Sequence, residues 1–324
     1  GFNSHGVIAV KGGEVSPRDI ERALDAAKAV AIPLDREVIH ILPQEYIVDD
    51  QRGIADPMGM AGVRLEVKVH IVTGAVTSAQ NIVRSCHKSG LDVSDIVLES
   101  LASAKAVLTE EEREIGVALI DLGGGTCDIA IFANASIKHT GVLALGGRNL
   151  TNDIAFGLRT PMAAAEKIKI KHGAAIAEMV RPDEYIEVPS VGGREPRRLS
   201  RQVLAEICEP RMEEILTLLD QELVRSGLKN MIGAGVVLTG GTALIQGCQE
   251  LGEQVFNLPT RIGYPRNVGG LKDMVNSPKF ATAMGLLRFG AEKEGMEQKF
   301  RIRSDGNVFN SILSRMKKWF SEIS

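Results

Sequence analysis

The spacing of apolar positions changes several times along the chain, and each change predicts an element. Leu65, Val67, Val69 and Ile71 alternate with Arg64, Glu66, Lys68 and His70, the period of a half-buried strand, and the run 38–42 predicts another. Ahead of them Ile20, Leu24, Ala27 and Val30 recur at helical spacing behind Ser16-Pro17, a capping residue followed by proline at the first helical position. Residues 1–73 therefore read as a mixed αβ unit. Thr77-Ser78 opens a helix that runs through Ile82, Val83 and Cys86 and stops at Gly90. Ile96-Val97-Leu98 predicts a short buried strand leading into a small-residue helix over 101–106.

Two apolar runs within 117–132 flank the turn Gly123-Gly124-Gly125-Thr126 and predict a hairpin. Beyond it, Gly146-Gly147-Arg148-Asn149 precedes a capped helix, and Thr160-Pro161 opens another that Gly173 closes. The turn residues of 183–198 predict a second hairpin, and Ser200 caps a long helix carrying Val203, Leu204, Ile207, Ile215, Leu216, Leu219 and Leu223. The run 235–247 reads as a buried strand, the pair Gly240-Gly241, then a helix opened by those glycines. Residues 280–287 predict a small-residue helix able to pack closely on a neighbour, and the polar composition from Gly290 to about Asn307 predicts a flexible linker. After it, apolar residues at 308, 309, 312, 313, 316, 319, 320 and 323 fall on one helical face.

Composition narrows the class. With 324 residues, 44% hydrophobic and 24% charged, the chain can bury a sizeable core and divide into more than one unit. A formal charge of −3 argues against a general nucleic-acid binder. Cys86, Cys127, Cys208 and Cys248 are scattered without a Cys-x-x-Cys pair, which predicts reduced thiols. His5, His40 and His70 lack metal-ligand spacing and read as strand-face or surface residues. No apolar run reaches about 18 residues and no signal-peptide pattern opens the sequence, so no membrane-spanning helix is expected.

The candidate chemistry lies at the glycine turns. Gly123, Gly124 and Gly125 let the backbone take positive φ and bring N–H groups up to a phosphate without a Cβ in the way. Asp121 then points a carboxylate at that phosphate, which a divalent cation and its waters would have to bridge, so the loop suggests Mg-nucleotide; a plain hairpin turn is the alternative. Gly146, Gly147 and Asn149 start a helix, an anion site in its own right. Glu166 and Lys169 lie three apart, either as contacts to a ribose and a purine edge or as a surface ion pair. Adenosine could lie flat on the backbone of Gly240-Gly241-Thr242. Glu99 is a usual place for a functional group, at a strand-to-helix junction, or an ordinary helix-start acid. On the last helix Phe309, Ile312, Leu313, Met316, Trp319 and Phe320 oppose Arg315, Lys317 and Lys318, a pattern that fits an interfacial anchor on anionic lipid.

The motifs Asp121-x-Gly-Gly-Gly-Thr-x-Asp128, Glu166-x-x-Lys169 and Thr239-Gly-Gly-Thr242, with the terminal amphipathic stretch, resemble the FtsA family of actin-like bacterial cell-division proteins. Leu42-Pro43-Gln44-Glu45-Tyr46, 188–194 and Glu209-Pro210-Arg211 are similar to it too. The resemblance implies an α/β, actin-like ATPase fold: two domains around a nucleotide cleft, with the family's extra subdomain at the N-terminal end of this chain. The expected division is 1–73 for that subdomain, 74–116 with 281–290 for the first domain, and 117–153 with 233–280 for the second domain's core. A peripheral subdomain at 154–232, a linker at 291–307 and a membrane-targeting helix at 308–324 complete it.

ATP and Mg2+ are the implied cofactors, with Glu99 helping to position water near the γ-phosphate. The implied partners are the C-terminal tail of FtsZ, with Arg198, Arg201 and Arg211 as candidate contacts, further copies in a head-to-tail filament, anionic lipid and other division proteins. The implied place is the cytoplasmic side of the cell membrane at the division site. The superfamily's first phosphate loop, an Asp-x-Gly hairpin, has no counterpart between Gly1 and Glu99, so a leading segment is expected to be unresolved, removed or absent, and turnover to be slow at most. Competing readings are a pilus-assembly or rod-shape MreB relative, or a sugar-kinase-type enzyme.

Overall fold

Residues 1–303, except 268 and 270–274, are described by a computed structural model. Its first unit is set by the alternation at Leu65–Ile71. Strand β4 (Arg64–Ala75) buries Leu65, Val67, Val69 and Ile71 completely. It pairs antiparallel with β1 (Phe2–Ala9) on one side and β2 (Arg36–Val48) on the other, and β3 (Gln51–Ile54) closes a sheet of order β1-β4-β2-β3. Strand β2 carries Pro43 opposite Val69, and the register shifts between Pro43 and Glu45. Helix α1 (Pro17–Lys28) begins with Ser16, whose hydroxyl accepts the Asp19 N–H at 3.3 Å while Asp19 accepts the Ser16 N–H at 3.1 Å. It settles on the sheet through Ala23 and Ala27, close enough that a Cβ on Gly6 would stand 2.1 Å from the Ala23 carbonyl.

Helix α2 (Val76–Lys88) ends just before Gly90, at φ +76°. The strand expected at Ile96-Val97-Leu98 does not form. Leu98 N–H instead donates to His40 Nε2 at 3.0 Å, so a side chain takes the place of a ladder partner. Helix α3 (Glu99–Val107) follows directly, then the short α4 (Glu110–Ile115).

The hairpin forms as expected from β5 (Val117–Leu122) and β6 (Cys127–Ala133), both buried throughout. Strand β7 (Ser136–Leu143) adds to β6, and β10 (Val236–Thr239) and β11 (Thr260–Ile262) add in parallel to the other side, giving the order β11-β10-β5-β6-β7. One face of this sheet is covered by α5 (Gly147–Gly157), α6 (Met162–His172), α7 (Arg201–Arg225) and α8 (Cys248–Phe256). The other is covered by α3 and the last helix, α9 (Ala281–Arg303). Strands β8 (Tyr185–Val188) and β9 (Arg197–Ser200) form the expected small hairpin, and Ser200 Oγ accepts the Gln202 N–H to start α7.

Helices α3 and α9 touch backbone to backbone: a Cβ on Gly285 would lie 1.8 Å from the Ala102 carbonyl. The linker expected from Gly290 is helical as far as Arg303. Glu, Lys, Gln and Arg are good helix formers, and a helix already anchored at Gly285 propagates without an apolar stripe. The amphipathic stretch 308–324, with its lipid-facing candidates, lies outside the described residues. The four cysteines are free thiols, Cys127, Cys208 and Cys248 buried, and among the described residues no helix is long and apolar enough to cross a membrane.

Candidate functional site

The hairpin turn and the second glycine pair meet. Strands β5 and β10 run parallel in register, Asp121 beside Thr239, so both turns leave the sheet at the same edge. Thr242 Oγ1 donates to the Gly123 carbonyl at 3.0 Å, across 119 positions of sequence. Gly240, at φ +88°, passes so close to the hairpin that a Cβ would stand 2.4 Å from Asp121 Oδ1 and 2.5 Å from the Leu122 carbonyl. Only glycine fits that position.

The three hairpin glycines differ from expectation: none takes positive φ. Gly123 is confined, its would-be Cβ 2.7 Å from the Thr126 carbonyl, but Gly124 and Gly125 are exposed with nothing within 4 Å of theirs. Gly241 is nearly as open, the nearest atom being Lys279 Cβ at 3.8 Å. Neither backbone strain nor packing inside the chain calls for glycine at these three places. Nor do Gly240 and Gly241 open an α-helix; a single 3₁₀ turn, Thr242–Leu244, follows, and α8 starts only at Cys248. Thr242 turns its hydroxyl back to the hairpin, and Gly247 at φ +79° breaks the chain direction before α8.

The start of α5 also departs from its expected role. The Gly147 and Arg148 N–H groups donate to the carbonyls of Gly123 and Gly124 at 2.9 and 2.7 Å, and Asn149 Oδ1 accepts the Gly146 N–H at 3.1 Å. Those amides fasten the hairpin turn from behind and are not offered to an anion. Gly146 has to be glycine for this, since a Cβ would come within 2.8 Å of the Gly123 carbonyl.

Glu166 and Lys169 pair at 2.8 Å, with the lysine buried and the glutamate half-exposed. Lys169 is only 8% exposed and donates to the Gly147 carbonyl and to Thr151 Oγ1, both at 2.9 Å, while Thr151 Oγ1 donates to Glu166. Although burial pushes the Glu166 carboxyl up, Lys169 and Thr151 hold it below the usual range. Lys169 thereby locks α6 to the helix that holds the turn, and the half-exposed Glu166 is the member that reaches outward. Thr151, four residues after Gly147, is a site residue that motif spacing does not reveal.

Three carboxylates gather at the opposite side of the turn. Asp121 is 3% exposed, with Oδ2 accepting from Ser103 Oγ at 2.6 Å and Thr282 Oγ1 at 3.3 Å; burial pushes its pKa up against these bonds. Burial likewise raises Asp128, despite the Thr126 hydroxyl at 3.2 Å, and Asp121 adds to the rise. Glu99, first residue of α3, is an exposed residue whose carboxyl is nonetheless partly shielded; this burial, then the charges of Asp128 and Asp121, push the carboxyl up to about 7. Among the described residues no group of side chains forms a direct metal cage, so these carboxylates suit a cation that keeps its waters.

The arginine candidates separate. Arg201 is spent internally on the His172 carbonyl at 2.8 Å, Glu184 at 2.5 Å and Gln246. Arg211 is held by Asp153 at 2.5 Å and by Glu214. Arg198 lies over the Tyr185 ring at 4.3 Å and, among the described residues, makes no ion pair with a carboxylate.

Comparison with known proteins agrees with this architecture. A family model for cell division protein FtsA matches residues 118–285, and one for the SHS2 domain inserted in FtsA matches residues 1–73. The chain is 50% identical over 324 residues to cell division protein FtsA of Pseudomonas aeruginosa, covering 98% of this chain and 77% of the relative. It is 41% identical over 325 residues to that of Escherichia coli K12, covering 98% and 77%. Among solved structures it is similar to MreB5 of Spiroplasma citri bound to ADP, with a TM-score of 0.52 at 20% identity over 69% of this chain and 68% of that one. It is also similar to a chain of the PilM-PilN type IV pilus biogenesis complex, with a TM-score of 0.56 at 15% identity over 89% and 76%. Those two likenesses concern the fold alone, and the fold is the actin-like one. The chain belongs to the FtsA family of actin-like cell-division proteins.

Proposed function

We propose that the chain binds ATP with Mg2+ at the junction of the two glycine turns and serves as an adaptor of division, polymerising on the cytoplasmic face of the membrane and tethering FtsZ filaments to it. One observation carries the nucleotide assignment. Gly124, Gly125 and Gly241 lack a side chain where the chain itself gives no reason for it, at a junction flanked by Asp121, Asp128 and Glu99. Side-chain-free backbone suits a phosphate or a flat sugar and base. Buried carboxylates of which Asp121 raises Asp128, and both raise Glu99, suit a divalent cation, which would relieve that repulsion. The related fold of MreB5, bound to ADP, supports the same reading.

In this reading Gly123, Gly124, Gly125 and Thr126 face the phosphates, Gly240, Gly241 and Thr242 the adenosine, and Glu166 the ribose. Lys169 acts one step back, fixing Glu166 and the start of α5. The bound cation neutralises phosphate charge. Glu99, near 7, can hold or release a proton at neutral pH beside the hairpin, which is what water activation asks of a general base. Asp121 holds the cation's hydration shell.

Binding of a fluorescent ATP analogue tests the cleft. Saturable binding, displaced by ATP and abolished by Gly241→Val, is expected; binding unaffected by that substitution would count against the site. For the adaptor role, deletion of 308–324 is expected to abolish co-sedimentation with anionic liposomes while sparing ATP binding. Equal pelleting of the shortened chain would rule out the anchor. An FtsZ tail peptide is expected to bind more weakly to Arg198→Glu, and an unchanged affinity would remove Arg198 from the contact.

A further inference from the structure

Asp121 stands where four elements of the fold meet. Its own strand is β5; Gly240, just after β10, passes so close that a Cβ there would stand 2.4 Å from Oδ1; and Oδ2 is reached by Ser103 in the middle of α3 and by Thr282, second residue of α9. The two hydroxyls also lie 2.9 Å from each other. Each carries one proton. Ser103 spends its proton on Asp121 Oδ2 at 2.6 Å, so Thr282 donates either to the Ser103 oxygen or to the carboxylate itself. The outcome is a closed triangle of oxygens linking a sheet strand to both helices that cover its far face.

Those helices cannot adjust independently. Gly285, one turn beyond Thr282, leaves no room for even a methyl group against the Ala102 carbonyl, the residue before Ser103. A shift of the carboxylate is therefore passed to α3 and α9 together, and α9 is the element that runs on toward the amphipathic end of the chain. Nothing about stability alone demands such an arrangement. A fully buried Ser103 and an almost fully buried Asp121 cost more to bury than an apolar contact between the same elements would.

We propose that Ser103 and Thr282 are positioning residues for Asp121, holding its carboxylate toward the cation of the bound nucleotide and tying the state of the cleft to the α3–α9 pair. This rests on the nucleotide reading above, but part of its test does not. In the nucleotide-free protein, hydroxyl bonds favour the charged carboxylate, so Ser103→Ala with Thr282→Val is expected to move the Asp121 titration, followed by carboxyl carbon NMR, to higher pH. Thr282→Ser should restore the position that Thr282→Val loses.

With nucleotide, Thr282→Val is expected to raise the Mg2+ concentration for half-maximal ATP binding about tenfold, the worth of a hydrogen bond to a charged group. Its affinity for ATP without Mg2+ should not change, because the glycine turns are untouched. Hydrogen exchange should show ATP protecting amides of 282–288 in the parent protein and in Thr282→Ser, but not in Thr282→Val. Thr282→Val keeps the shape of the parent side chain; should melting curves show that it nevertheless fails to fold, Ser103→Ala, which removes the other hydroxyl on Asp121 Oδ2, decides by the same titration. An Asp121 titration indifferent to both hydroxyls overturns the proposal, whether or not ATP binds. Failure of the parent protein to bind ATP overturns the nucleotide reading and leaves that titration to decide the triangle.

Discussion

The four-stranded unit at the N-terminal end and the cleft are built from the same residue types put to opposite uses. In the four-stranded unit, carboxylates are held below their usual range by donors: Asp19 by the Ser16 hydroxyl and backbone, Glu45 by Lys68 at 2.7 Å. In the cleft, burial pushes Asp121, Asp128 and Glu99 up, and no cation of the described chain stands among the causes. Glycines differ in the same way. Gly13, Gly53 and Gly59 sit at positive φ with empty space around them, the signature of turns. Gly240 is wedged against backbone, and Gly124 and Gly125 are neither strained nor crowded. One region is satisfied within itself; the other keeps the open backbone and the raised carboxylates that the proposed nucleotide and cation would complete.

The largest effect is expected at the wedge. Gly240→Ala adds both an unfavourable φ and a contact with Asp121 and the Leu122 carbonyl, and should cost roughly 3 kcal/mol or more in denaturant unfolding. A loss under about 1 kcal/mol would show that the two turns are not in contact. Gly53→Ala, strained by φ alone at +72°, should cost only about 1 kcal/mol. Equal costs at the two positions would erase the contrast.

A smaller effect concerns pH. The folded chain holds the Glu99 proton more tightly than the unfolded chain does, so this residue's contribution to stability is fullest below about 4.5 and declines as pH rises toward 7. Because Glu99 is open to solvent, the decline is expected to be on the order of 1 kcal/mol or less. Glu99→Gln should flatten it, and Mg-ATP should shift it to lower pH by drawing the proton off. A stability profile unchanged by Glu99→Gln would mean that the carboxyl is not enclosed.

What could be read in the sequence was whatever a local pattern dictates. Ser16 and Ser200 cap their helices, the alternation around Val67 is a buried strand, and Gly285 permits the close helix contact, each following from a few neighbouring residues. Composition misleads at 290–303, where charge suggests flexibility although those residues favour helix. The run at Ile96 had the right residues for a strand but found His40 as its partner instead of a ladder. Thr151, Ser103 and Thr282 were invisible because hydroxyl side chains acquire their roles from contacts 15 to 179 positions away. The glycine run suggests dihedral freedom in the sequence, whereas what distinguishes Gly124 and Gly125 in the structure is room.

That distinction gives the most direct measurement. Gly124→Val places a side chain in space that the chain leaves open, so the melting temperature should stay within a few degrees of the parent protein while ATP affinity falls at least tenfold. A folded Gly124→Val protein that binds ATP as tightly as its parent would contradict the claim that the hairpin backbone cradles the nucleotide.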